Sequence, residues 1–190
     1  MKGLIPGNIK PQQGKLLISE PFLQDNYFKR TVVLLGSHNE EGSFGFILNK
    51  ELDIPLCDLV KQLPEIKTKV FLGGPVQRDN LFYIHSLGDI IENSIEIGKG
   101  IFWGGEFSTL SNLIKRNEVS RKQIRFFVGY SGWSPGQLDE ELKQKSWIIS
   151  KLDKKLILES PPADLWKNAL KKMGRDYAQF VNYPEDPQLN

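Results

Sequence analysis

The chain has 190 residues, enough for one hydrophobic core, and its 39% hydrophobic and 25% charged residues are typical of a folded globular protein. Its 25 basic and 23 acidic side chains leave a net charge of +2, divided as −1 over residues 1–95 and +3 over residues 96–190. A dedicated binder of duplex DNA usually has a larger basic excess, so this balance argues against that class.

Membrane and secretory segments are not expected. The longest apolar run, Val32 to Leu35, is too short to cross a bilayer, and the first residues lack the apolar stretch of a secretory signal. Cys57 is the only cysteine, which excludes an intrachain disulfide and fits a reducing compartment. These observations predict a cytoplasmic protein without a membrane segment.

The first half of the chain reads mainly as strands. Residues 1–13 contain two prolines and no hydrophobic period, so we interpret them as an extended arm. Runs of apolar and β-branched residues then predict strands at 16–19, 31–35, 44–48, 70–72, 81–85 and 93–97. Apolar residues at helical spacing predict a helix over 53–63, which would place Cys57 in the core.

In the second half of the chain, segments with the apolar spacing of a helix alternate with segments typical of strands. An apolar stripe predicts a helix over 107–114, and residues 124–130 predict a strand. Ser134, Pro135 and Gln137 form a capping-box pattern that starts a helix running to about Trp147. We expect a further strand at 155–158, a last helix over 165–173, and a polar tail from residue 176 to residue 190.

Strands outnumber helices in this reading and do not alternate with them regularly. This pattern favours a mixed or antiparallel α+β fold over a doubly wound α/β fold. No linker divides the chain, so we expect a single domain.

Several segments resemble the YqgE/AlgH family in residue type and order. They are the opening 14–21 with 31–35, the GGPV turn at 73–76, and the segment GYSGWSPGQL at 129–138. The resemblance covers about residues 14–175, leaving the arm 1–13 and the tail 176–190 outside. It implies an α+β domain whose branched, mixed or antiparallel β-sheet rolls towards a barrel with helices packed outside. Members are often described as transcriptional regulators by association with one alginate-related protein, and the family supplies no catalytic residue to transfer.

Two glycine turns are the candidate binding feature. Gly73-Gly74 and Ser131-Gly132 can present backbone N–H groups without obstruction, and the second turn leads towards a helix N-terminus, which favours anions. We therefore expect a small anionic ligand in a groove between them. The candidate ligand-binding residues are Arg30, Gly73, Gly74, Arg78, His85, Ser131, Gly132 and Gln137. The alternative is that both turns only shape the backbone.

Other chemistries have weaker patterns. Gly129 to Trp133 resembles a hydrolase elbow, with Ser131 as nucleophile, but Trp133 stands where the elbow requires glycine. A basic patch offers a site for DNA, although no recognition motif accompanies it; its members are Lys115, Arg116, Arg121, Lys122 and Arg125. Histidine and cysteine spacing predicts no metal, and no nucleotide fingerprint implies a cofactor. The sequence thus favours a non-enzymatic binding or regulatory module with a small anionic ligand or a protein partner.

Overall fold

A computed structural model describes residues 9–64 and 68–183, so most of the predicted arm and residues 184–190 of the tail lie outside the described residues. The strands are β1 (Lys15–Ser19), β2 (Val32–Asn39), β3 (Gly42–Ile47), β4 (Glu51–Pro55), β5 (Lys69–Leu72), β6 (Val76–His85), β7 (Ile95–Gly98), β8 (Ile101–Trp103), β9 (Ile124–Trp133) and β10 (Trp147–Lys151). The helices are α1 (Leu56–Leu59), α2 (Phe107–Lys115), α3 (Gln137–Lys143), α4 (Lys154–Glu159), α5 (Pro162–Lys172) and α6 (Arg175–Ala178).

The strands form one curled, largely antiparallel sheet in the order β10-β1-β2-β3-β9-β6-β8-β7. The sheet branches at β9, which pairs antiparallel with β6 along one edge. Along its other edge β9 pairs parallel with β5 over residues 126–128 and then antiparallel with β3 over residues 131–133. The result is an α+β half-barrel with helices packed outside, which confirms the expected fold class.

Alternating side chains on the strands divide the core into separate clusters. On β1, Leu16 and Ile18 face a cluster that includes Trp166 of α5, whereas Leu17 faces the opposite side of the sheet with Leu138 of α3. A third cluster lies beneath α2, where Leu110 packs among side chains of β5, β6 and β9. The period-two pattern of the strands therefore lets helices cover the sheet from more than one side.

The predicted helix over 53–63 is wrong in most of its length. Residues Glu51–Pro55 form β4, which pairs with β5, and only Leu56–Leu59 make a helical turn. The extended backbone of Pro55 (φ −65°, ψ 141°) separates the two elements. Cys57 is half-buried in this short turn and does not lie in the core.

The predicted strand at 155–158 is also wrong, because these residues belong to α4. The Asp153 side chain accepts a hydrogen bond from the Leu156 N–H (3.0 Å) and caps that helix. The helix predicted from Ser134 to about Trp147 is shorter at both ends, because α3 begins at Gln137 with Gly136 (φ +74°) as its N-cap and no side-chain cap, and it ends at Lys143 before β10 begins at Trp147. Residues Tyr177 and Val181, placed in the tail by sequence, are buried against the main core.

Glu141 of α3 joins the helix to the sheet. Its Oε2 accepts hydrogen bonds from the indole N–H groups of Trp133 (2.9 Å) and Trp147 (2.7 Å). Both tryptophans are only 5% exposed. Phe28 stacks against Trp133 and meets Trp147 edge-on. One carboxylate thus satisfies two buried donors.

Replacing Glu141 with alanine leaves two buried indole N–H groups without their acceptor. We expect Glu141→Ala to lower the free energy of unfolding by about 2–4 kcal/mol, measured by urea denaturation followed through tryptophan fluorescence. Glu140→Ala is the matched control, since Glu140 lies on the same helix and pairs only with exposed Lys143 in the contacts described. Equal losses in the two variants would contradict the role assigned to Glu141.

Candidate functional site

The two glycine segments meet, and they meet backbone to backbone. The Gly73 N–H donates to the Val128 carbonyl (2.9 Å), and a Cβ on Gly73 would lie 2.2 Å from the Gly129 oxygen. A Cβ on Gly74 would lie 2.3 Å from the Tyr130 carbonyl atoms. Glycine is therefore required here for close approach, and the contact leaves no gap between the segments. Ligand binding by these glycines stays a prediction.

Ser131 lies within β9 and not at a strand-to-helix turn. Ser131 is fully buried, and its Oγ donates to the Gly73 carbonyl (2.9 Å). The strand continues to Trp133 because residues 131–133 pair with β3, while Gly129 (φ +69°) supplies the bend before them. The elbow geometry that a nucleophilic serine needs is thus replaced by a buried structural hydrogen bond.

The predicted ligand-binding residues Arg78, Gly132 and Gln137 lie near these glycines but in different surroundings. Arg78 is exposed, with its Cγ 3.4 Å from the position of a Cβ on Gly129. Gly132 is exposed within β9. Gln137 completes part of the capping box, because its Oε1 accepts from the Ser134 N–H (3.0 Å). Its Nε2 donates to Glu141 (3.0 Å), so the amide serves the start of α3.

His85 lies at the far end of β6 from the glycine turn that precedes Val76. It is fully buried, its Nδ1 accepts from the Leu87 N–H (3.1 Å), and its Nε2 donates to the Gly104 carbonyl (3.0 Å). These partners fix the neutral Nε2–H tautomer. Burial lowers the pKa of His85, so it offers no positive charge to an anion at neutral pH.

Arg30 lines a different, polar cleft of about 310 Å³, which we call the Arg30 cleft. Its lining residues are Gln24, Asp25, Asn26, Lys29, Arg30 and Lys50. Arg30 adopts a left-handed backbone (φ +51°), and the Asn49 side chain supports it by donating to the Arg30 carbonyl (2.9 Å). The guanidinium stacks over Trp166 at 5.0 Å and donates to the Tyr183 carbonyl.

The electrostatics of the Arg30 cleft depend on Asp25 and Lys50. Asp25 Oδ1 accepts from the backbone N–H groups of Tyr27 (2.7 Å) and Phe28 (2.8 Å). The Lys50 ammonium donates to the Asn26 carbonyl (2.8 Å). Burial lowers the pKa of Lys50, and the nearby Asp25 charge opposes this shift in part. Lys50 is therefore a partly desolvated cation.

Sequence reasoning found Arg30 but missed Lys29 and Lys50. Lys50 is twenty positions from Arg30 and reaches the cleft only because β2 and β3 form a hairpin that returns the chain. The one local signal was the dibasic pair Lys29-Arg30 directly after the Asp25-Asn26 turn.

The predicted basic patch is only partly a surface feature. Lys115, Arg116, Arg121 and Lys122 are exposed. The prediction that Arg125 belongs to this surface patch is wrong, because its side chain is buried (6% exposed). It donates to the Leu48 carbonyl (2.7 Å) and lies 4.7 Å from the Phe71 ring centroid. Burial lowers the pKa of Arg125 to about 10. It lies on β9, where the alternation of the strand turns it inward.

A second cleft, of about 320 Å³, is mainly apolar. Trp103 and Phe107 line it beside Tyr83, whose hydroxyl donates to the Gly105 carbonyl (2.7 Å). Burial and the charge of Glu106 raise the pKa of Tyr83 to about 12. The described lining residues supply aromatic surface, and none of them carries a cationic group.

Over residues 9–64 and 68–183, no three side chains of His, Cys, Asp or Glu come together in a metal-binding group. Within the same ranges, no helix is both long enough and apolar enough to span a membrane.

The buried His85 should make stability depend on pH. In the unfolded chain the His85 ring is protonated with the ordinary pKa of about 6.5, whereas in the folded protein burial lowers its pKa, so the ring stays neutral to lower pH. We expect the free energy of unfolding to be highest above this pH and to fall as the pH decreases towards 5.5. Urea denaturation over pH 7.5–5.5 measures the slope.

His85→Asn should lose part of that slope although it is less stable throughout, because a buried hydrogen-bonding group is changed. His38→Asn, whose Nδ1 contacts only the Ser43 hydroxyl (2.7 Å) in the contacts described, should keep the slope. An unchanged slope in His85→Asn would show that another group titrates.

Comparison with known proteins gives the family. A family model described as AlgH-like matches residues 16–178. A UPF0301 protein of Parabacteroides distasonis is 42% identical over 185 residues, covering 96% of this chain and 93% of that protein. A UPF0301 protein of Cytophaga hutchinsonii is 41% identical over 179 residues, covering 94% and 98% of the two chains.

Solved structures give the same fold. The solution structure of AlgH from Pseudomonas aeruginosa is 26% identical, has a TM-score of 0.73, and matches 90% of this chain and 94% of that one. A crystal structure of a protein from Corynebacterium diphtheriae, 17% identical, has a TM-score of 0.78 over 92% and 94% of the two chains and supports the fold alone. The family model matches 163 residues, and the AlgH structure covers 90% of the chain, so the chain belongs to the AlgH-like family.

Proposed function

We propose that the protein is a non-enzymatic binding module for a small anionic ligand, held in the Arg30 cleft by Lys29, Arg30 and Lys50. The observation that carries the proposal is the charge of the described cleft lining, which has three cationic side chains and one carboxylate. A ligand bearing a carboxylate or phosphate group would balance this excess.

The single carboxylate does not neutralise the cations by direct contact. Asp25 uses Oδ1 to accept two backbone N–H groups of the following turn, which fixes its orientation. Lys50 directs its ammonium to a backbone carbonyl. The Lys50 ammonium is thus held by a neutral acceptor, and the nearby Asp25 charge offsets it only in part, so an anion in the cleft would interact favourably with it.

The partial burial of Lys50 strengthens this argument. A desolvated ammonium interacts more strongly with an opposite charge than one in bulk water, because the local dielectric is lower. Burial lowers the pKa of Lys50, and a bound anion would raise it again. Ligand binding should therefore take up protons at alkaline pH, near the pKa of this lysine.

The proposal keeps the ligand class and Arg30 from the sequence prediction and adds two lysines. It includes no chemical step, because the Ser131 hydroxyl and both His85 nitrogens are engaged in structural hydrogen bonds. A regulatory role through ligand binding, in a cytoplasmic protein with one half-buried cysteine, is the biological setting that we propose.

Isothermal titration with citrate and with inorganic pyrophosphate tests the proposal. We expect Lys50→Gln to weaken binding of at least one of these anions by about tenfold, as loss of one charge-assisted hydrogen bond predicts. Lys122→Gln is the matched control, since Lys122 is an exposed lysine outside the cleft. The affinity should also fall as salt is added.

Two results would overturn the proposal. One is the absence of measurable binding of either anion to the wild-type protein at low ionic strength. The other is binding that Lys122→Gln weakens and Lys50→Gln leaves unchanged, which would assign the anion to the exposed basic patch.

A further inference from the structure

The two outermost strands of the curled sheet approach each other at a seam. The Lys99 ammonium, in the turn between β7 and β8, donates to the Leu152 carbonyl just after β10 (3.2 Å). The Gln13 side chain, before β1, donates to the Glu96 carbonyl of β7 (2.7 Å). Here β7 ends one side of the sheet order and β10 ends the other, so these contacts join its two edges.

A cleft of about 200 Å³ lies in this seam, and we call it the seam cleft. Its lining includes Gln13, Lys15, Gly98, Lys99, Lys151 and Leu152. Gly98 (φ +148°) has open space at its Cβ position, so the backbone there leaves the cleft unobstructed.

The lysines of the seam cleft repel each other. Lys15 and Lys151 are direct partners in the antiparallel register of β1 and β10, which places both side chains on the same face of the sheet. Like charges in this position are unfavourable. Lys99 adds a third ammonium, and the Lys154 Nζ lies 3.5 Å from the Cβ position of Gly100 in the adjoining turn.

The carboxylates beside the seam are engaged elsewhere. Glu96 Oε1 accepts from the Gly100 N–H (3.1 Å). Asp153 caps α4 through the Leu156 N–H and forms an ion pair with Lys172. Among the described residues that line the seam cleft, none carries a carboxylate. The described lining of the seam cleft therefore carries three lysines and no carboxylate.

We propose that the seam cleft binds a phosphate group of a small ligand through Lys15, Lys99 and Lys151. Lysine is a common phosphate ligand because it acts as a compact point charge, and several ammonium groups match the multiple charge of phosphate. The site is separate from the Arg30 cleft, since the described linings of the two clefts share no residue and they approach β2 at different points. Arg30 precedes Val32, whereas the Gly14 N–H bonds the Leu35 carbonyl (2.9 Å).

Binding here would also stabilise the seam. Lys15 and Lys151 belong to the paired strands β1 and β10, and Lys99 belongs to the β7–β8 turn, so one phosphate would add a link between that turn and the strand pair, beside the hydrogen bonds of Gln13 and Lys99. It would also remove the repulsion between Lys15 and Lys151. Ligand binding would then tighten the closure of the half-barrel.

The test uses inorganic pyrophosphate and the Lys50→Gln protein as background, so that the Arg30 cleft contributes little. Titration calorimetry should still detect binding in this background, and adding Lys151→Gln should weaken it by about tenfold. The control is Lys155→Gln, because Lys155 is an exposed lysine near the seam that does not line the cleft.

Thermal unfolding supplies a second, ligand-independent readout. In low salt without phosphate, Lys151→Gln should melt about 1–2 °C above its parent, since the repulsion is removed, and added salt should reduce the difference. Pyrophosphate should raise the melting temperature of the parent more than that of Lys151→Gln.

Equal pyrophosphate affinity in Lys151→Gln and Lys155→Gln would overturn the proposal. Equal melting temperatures of Lys151→Gln and its parent in low salt would also overturn it, because the lysines would then already be neutralised. If instead the proposed anion binding in the Arg30 cleft is wrong, the Lys50→Gln protein will bind citrate and pyrophosphate with wild-type affinity, which is a separate result.

Discussion

The architecture depends on the close backbone contact between β9 and the Gly73-Gly74 turn. Gly73 directly follows β5 and links that strand to β3 and β9, because its carbonyl accepts both the Ile47 N–H of β3 and the Ser131 hydroxyl of β9, while its own N–H donates to the Val128 carbonyl of β9. A side chain on Gly73 would collide with the Gly129 oxygen at 2.2 Å. At this contact the pairing partner of β9 changes from β5, over residues 126–128, to β3, over residues 131–133. This change of partner branches the sheet.

The branch has consequences for where ligands can bind. Once the sheet curls, its interior is filled by aromatic and aliphatic side chains such as Phe46 and Phe127, which stack at 4.9 Å. Arg125 is buried on β9, but the charged groups of the two proposed sites lie at strand ends and in the connections between strands. The Arg30 cleft lies before β2, and the seam cleft lies where β7 approaches β1 and β10. Both proposed anion sites are therefore products of the curled sheet, with lysines brought together from distant positions in the sequence.

Sequence patterns predicted the strands well where apolar and β-branched residues follow one another closely, as in β2 and β9, and they predicted the α+β class. They failed where one pattern fits two structures. The apolar residues after Asp53 suit a helix, but pairing of β4 with β5 decided otherwise. The apolar residues at 155–158 suit a strand, but the Asp153 side chain accepts a hydrogen bond from the Leu156 N–H and caps a helix there. Arg125 looked like surface charge because sequence does not reveal the carbonyl of Leu48 that receives it.

The candidate site was partly predictable for the same reason. The sequence analysis required the two glycine segments to meet only as a condition for a ligand groove, and their role at the branch point depends on long-range strand pairing that the sequence does not reveal. Lys50 carried no local signal, because its position beside Arg30 follows from the β2–β3 hairpin.

The most direct test of this account compares the unfolding free energies of Gly73→Ala and Gly132→Ala by urea denaturation. Gly132 of β9 is the comparison glycine, because a Cβ there would lie only at ordinary contact distances, 3.4 Å from the Tyr130 ring and 3.6 Å from Val76 Cγ2. Gly73→Ala should lose about 2–3 kcal/mol or more through overpacking, whereas Gly132→Ala should change by less than about 1 kcal/mol. Equal effects, or a tolerated Gly73→Ala, would contradict the claim that this backbone contact holds the branched sheet together.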